Sequence, residues 1–124
     1  MVSQIMQDSN GLLWMVTGDG LHCFDGNEFK VFRIQHSGAY NNSDNMMRKI
    51  IETEAGVFVI ASSSSFFRFT VANGEFEFIN REPSVYHLLL DVVVNKKPLV
   101  WVYSKGLSLA GDSLEPLRLI SRNG

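Results

Sequence analysis

The chain has 124 residues, 45% of them hydrophobic and 19% charged, with a formal net charge of −2. This is the composition of one soluble globular domain with a core, and it excludes an intrinsically disordered polar chain. The slightly acidic balance offers no basic stripe for nucleic acid, and a lone cysteine, Cys23, excludes an intrachain disulfide.

The predicted elements are all strands. Residues 2–7 and 12–17 read as the first two, joined by Asp8-Ser9-Asn10-Gly11, whose residues tolerate the positive φ of a tight turn. Gly18-Asp19-Gly20 turns the chain into a strand over 21–24, and Asp25-Gly26-Asn27 into another over 28–33. Residues 34–45 form a polar connection. Four strands are then expected at 46–52, 57–62, 66–70 and 75–80, and four more at 88–94, 99–103, 107–110 and 115–121. Pro98 is expected at the start of a strand, where its missing N–H is tolerated. No segment sustains helical spacing, so no helix of consequence is predicted.

These strands repeat. Trp14, Val59 and Trp101 align at spacings of 45 and 42 residues, and the flanking pattern moves with them. Gly11 matches Gly56, Thr17 matches Ser62 and Ser104, Phe24 matches Phe69, and Phe29-Lys30-Val31-Phe32 matches Phe76-Glu77-Phe78-Ile79. A fixed period of this length is that of a four-stranded blade. The predicted fold class is therefore all-β: three consecutive four-stranded antiparallel blades of a partial β-propeller, at residues 1–34, 45–81 and 85–122 of one domain spanning 1–124.

Most side chains that catch the eye have a structural role to fill. Trp14 and Trp101, on central strands, are expected to pack between blades. Asp8 and Asp25 are expected to bond the N–H groups of their own turns. Neither turn has the ligand spacing of a calcium loop. His22, His36 and His87 make no pair at metal-ligand spacing, and Cys23 lacks an adjacent base. There is no nucleophile elbow, phosphate loop or His-Glu-x-x-His. The expectation is thus no catalytic activity, no cofactor and no metal.

The first repeat resembles the two-component regulator propeller repeat. The resemblance is carried by Asp8, by Gly11 with Trp14, by Thr17 with Gly20-Leu21, and by Phe24-Asp25-Gly26. The second repeat lacks the Trp and the Gly-Leu. Such repeats build propeller sensor regions of hybrid two-component regulators in gut Bacteroides-type bacteria, outside the inner membrane, where they are associated with sensing oligosaccharides. The resemblance therefore implies a non-enzymatic sensor or ligand-recognition module, periplasmic in its parent protein, with an oligosaccharide as ligand. The alternative is a propeller scaffold for protein interaction with no small-molecule ligand. The bacterial resemblance also discounts the glycosylation sequon Asn41-Asn42-Ser43.

In a propeller, the turns between second and third strands share one rim with the connections between blades. That rim assembles the candidate ligand-binding residues Asp19, Arg33, His36, Tyr40, Asn41, Arg81, Tyr86 and Lys105. Three blades are fewer than the four to eight that close a ring. The chain is expected to be a piece of a longer sensor, and to form a homodimer that completes the open propeller. No basic-then-apolar leader opens the sequence, and the apolar run over 88–94 is broken by Asp91, so neither an export signal nor a membrane segment is expected in this chain.

Overall fold

The computed structural model describes residues 1–35, 42–81, 87–102 and 106–117, with the side chains of all of these except Asn42 and Arg81. The first sheet comprises β1 (Val2–Gln7), β2 (Leu13–Thr17), β3 (Gly20–Phe24) and β4 (Phe29–Phe32). A single helical turn, α1 (Asn42–Asn45), precedes the second sheet. That sheet holds β5 (Met47–Glu54), β6 (Val57–Ser62), β7 (Ser65–Thr70) and β8 (Glu75–Arg81). The third holds β9 (Leu88–Val94), β10 (Lys97–Val102), β11 (Gly106–Ala110) and β12 (Leu114–Pro116). Each sheet is a four-stranded antiparallel meander in chain order. The fold is all-β, three consecutive blades, as the repeat predicts.

The pairing registers show that the repeat is geometric as well as sequential. Trp14 lies opposite Met6 and Cys23, Val59 opposite Ile51 and Arg68, and Trp101 opposite Leu88 and Leu107. The three aligned residues thus occupy one lattice point in three successive sheets. Side chains alternate across a strand, so all three leave their sheets by the same face. We call this face the front.

The front of each sheet packs on the back of the next. Trp14, Val16 and Leu21 share one buried cluster with Phe58, Ile60 and Phe69. The Trp14 ring meets Phe58 at 5.0 Å and Phe69 at 5.5 Å between centroids, both edge-on, as ring quadrupoles favour. Val59, Ala61 and Phe66 share a second cluster with Leu89, Val100 and Val102. Strand β6 contributes to both clusters, and five of its six residues are buried without alternation. Contacts between sheets concentrate on the first strands, with β5 against β1 and β2 on one side and against β9 and β10 on the other. The sheets therefore fan out from their first strands.

One expectation is corrected here. Trp14 is 2% exposed, but Trp101 is 44% exposed and packs between no blades. It points forward from the third sheet as Trp14 does from the first, and among the described residues no sheet lies beyond it. Strand bounds also shift slightly. β10 begins at Lys97, so Pro98 is its second residue, next to an irregularity in the β9 pairing. The two residues between β9 and β10, Asn95 and Lys96, have φ of 51° and 65°, which makes a tight hairpin without glycine. The last strand was expected over 115–121 but is described as Leu114–Pro116, and residues beyond 117 lie outside the described ones.

Candidate functional site

The rim expected to carry a ligand is built the same way in the first two sheets. The turn between second and third strands is tied by side chains to the chain that connects one sheet to the next. In the first sheet, Arg33 donates from Nε to Asp19 Oδ1 at 3.0 Å and from Nη2 to Oδ2 at 2.9 Å. In the second, Ser64 and Ser65 donate their hydroxyls to Asp44 Oδ1 at 2.5 and 3.2 Å. Asn45 anchors the connection further: its amide accepts from Ile34 N–H at 2.7 Å and donates to Ile34 C=O at 2.9 Å.

Local sequence explains why Asp19 can meet Arg33. Gly20 has φ of +98°, and a Cβ there would stand 2.7 Å from the Phe32 carbonyl oxygen. Only glycine lets β3 begin this close to the end of β4, which brings the Asp19 turn beside Arg33. The guanidinium holds the Asp19 carboxyl below the usual carboxylate range, mainly through its hydrogen bonds. Both side chains remain substantially exposed, Arg33 at 43% and Asp19 at 62%.

The structure thus brings two of the eight predicted rim residues together as a fork-on-carboxylate pair. Arg81 ends β8 opposite Ser65, which places its backbone on the same rim. His36, Tyr40, Asn41, Tyr86 and Lys105 lie outside the described residues.

Beside the Arg33 pair, an open groove of about 440 Å³ runs between the first and second sheets. Arg33, Ile34 and Gln35 form one wall, and Phe67, Glu75, Phe76 and Phe78 the other. Phe78 is 51% exposed. Sequence reasoning missed Gln35, Glu75 and the phenylalanine pair. The available signal was the Phe76-Glu77-Phe78 alternation at the outer strand, which puts both rings on one face.

A buried polar cluster at the second seam was also missed. His87 is 1% exposed, and its Nε2 lies 2.6 Å from the Ser62 carbonyl oxygen. The Ser62 carbonyl can only accept, so in its Nε2–H tautomer His87 donates to it. Arg48 Nη2 lies 3.0 Å from the same nitrogen and 3.3 Å from the Ser62 oxygen, so it too donates to Ser62. Residues from three separate strands or turns converge there, and no local spacing announces that.

On the opposite rim the turn carboxylates act as expected. Asp8 accepts from the N–H groups of Asn10 and Leu12, both at 2.9 Å, and from the Trp14 indole at 2.8 Å. Asp25 accepts from Asn27 and Glu28 N–H, both at 2.8 Å, and these bonds hold its carboxyl below the usual range. A second groove, about 370 Å³, is crossed by Lys96–Glu54 and Arg68–Asp112 ion pairs, each 3.1 Å.

Among the described residues no three His, Cys, Asp or Glu side chains gather where they could hold a metal ion. Cys23 is buried in the first seam, and that burial, aided by Asp8 and Asp25, pushes its thiol up, away from the reactive thiolate. No described helix is long and apolar enough to cross a membrane. Comparison with protein-family models and with curated proteins returns no match to this chain.

Proposed function

We propose that the chain is a non-enzymatic recognition module, three blades of a two-component regulator type propeller sensor, periplasmic in its parent and presenting its rim to an oligosaccharide. The observation that carries this reading is the groove between the first two sheets. It sets a guanidinium, an amide and a carboxylate beside two phenylalanine rings on a rigid scaffold. Planar polar groups with aromatic faces suit sugar hydroxyls and C–H surfaces. Titration calorimetry against a panel of neutral and acidic oligosaccharides tests it. Binding that is lost in both Arg33→Ala and Phe78→Ala is the expected result, and no heat with any glycan refutes it.

The second reading, a scaffold for protein interaction without a small-molecule ligand, is favoured by the outward sheet faces. Ile5, Phe29 and Val31 on the first sheet and Leu88, Trp101 and Leu117 on the third are each at least 41% exposed. Apolar faces of this kind mark interaction surfaces, and their simplest partner is a second copy of the chain in a homodimer.

A further inference from the structure

We infer that two copies associate head to tail, the front of the third sheet of one against the back of the first sheet of the other, in a dry seam anchored by Trp101. The inference rests on the self-association reading above and adds its polarity and its anchor.

The argument is one of repeated geometry. The chain packs front on back twice within itself. The front of its third sheet, which no described sheet covers, carries a row running straight across the sheet, Leu88, Trp101, Leu107 and Leu117, with Leu117 N–H bonded to Leu107 C=O at 2.9 Å. Trp101 stands at the lattice point of Trp14. Its unused back carries Leu13 opposite Phe24, and Phe24 stacked on Phe29 at 4.5 Å. Leu13 and Phe24 stand where the second sheet places Phe58 and Phe69, also opposite each other and the two rings that clasp Trp14. The unused front therefore presents the knob, and the unused back the socket, of a seam the chain already makes.

Area decides between an open and a closed pair. A face of four strands and about five residues covers roughly 330 Å², or about 500 Å² of accessible surface once side-chain relief is included. A stable interface needs about 800 Å² per partner. One seam falls short and two suffice, so the pair closes, each copy using both faces about a two-fold axis.

The new seam also differs chemically from the others. The formed seams are pinned by polar contacts: Gln4 with both backbone groups of Ile50, Ser9 with Glu52, and Lys49 with Asp91 at 2.9 Å. Arg68, paired with Asp112 across the second seam, is replaced by Leu107 at the same point of the third sheet. The ion pair this front carries among the described residues, Lys97–Glu115 at 3.0 Å, closes within the third sheet, so salt screens no attraction across the row of Leu88, Trp101, Leu107 and Leu117.

Sedimentation equilibrium of the full chain at roughly 10 µM tests this, a concentration that separates micromolar from weaker dimers. A two-chain mass that persists or tightens on raising NaCl to about 1 M is expected, since screening removes only charge terms. Trp101→Asp and Leu13→Asp, both at exposed sites, should each raise the dissociation constant by at least about 30-fold. Circular dichroism verifies that each variant keeps its strands. A wild-type monomer overturns self-association altogether. A dimer broken by Trp101→Asp but untouched by Leu13→Asp is front-to-front, and overturns the head-to-tail seam alone. A dimer that dissociates in salt overturns the dry seam.

Discussion

Replacing Asp8 by Ala should destabilise the fold far more than a turn substitution ordinarily does. Asp8 is 7% exposed, and its carboxylate satisfies three donors, one of them the indole N–H of Trp14, a residue only 2% exposed. Stranding a buried indole N–H costs about 1–3 kcal/mol, and losing two turn bonds nearer the surface about 0.5–1 kcal/mol each. The sum is about 3 kcal/mol, a fall in Tm of roughly 10 °C for a domain of this size. Trp14→Phe keeps most of the ring packing but leaves the carboxylate short of a charged hydrogen bond, at a cost of about 2–3 kcal/mol. The double variant strands neither partner, so the two losses should overlap by about 1.5 kcal/mol. Urea denaturation followed by far-UV circular dichroism measures all four proteins. Asp25→Ala is the control, because that carboxylate bonds two exposed turn N–H groups and no buried donor. Losses that add within about 0.5 kcal/mol would refute the coupling, and an Asp8→Ala protein no less stable than Asp25→Ala would refute the account of the turn.

Gly20→Ala should cost about 2–3 kcal/mol, since it combines a φ of +98° with a Cβ 2.7 Å from a backbone oxygen; Gly18→Ala, with open space around it, should lie within about 0.5 kcal/mol of wild type in the same denaturation assay. The Asp19 carboxyl should titrate below 3.8 by NMR and move up in Arg33→Ala. Because its folded value lies below the unfolded one, the pair supports folding above about pH 4 and ceases to do so as pH falls through the folded value. An Arg33→Ala variant whose Asp19 midpoint is unmoved would show that the guanidinium is not the cause.

Much of the fold was written in turns and offsets. Gly11, Gly56 and the Trp14–Val59–Trp101 alignment fixed which residues are equivalent, because a β-sheet register of period two leaves little freedom once turn positions are known. Asp8 and Asp25 were legible because an Asx turn is a local event. Burial was less legible, since it belongs to the neighbour and not to the residue. Trp101 reads like Trp14 in sequence and differs only in what stands in front of it. The Arg48–His87–Ser62 cluster joins residues 14 to 39 positions apart, and the groove beside Arg33 depends on how two sheets splay. Of the candidate site, the Asp19–Arg33 pair was accessible because the two residues flank one hairpin.

Because β6 is covered on both sides within one chain, a dissociated copy can shed an outer sheet from either end but cannot lose its centre alone. Among the described residues the two apolar clusters share the middle sheet, so each seam opens as its own cooperative unit, with nearest-neighbour terms like those of a linear repeat array. Amides of β2 and β10 should then exchange with solvent through partial opening, and those of β6 only when both neighbours have gone. The molecule frays like a short stack of cards, and its memory of the native register resides in the card at the middle.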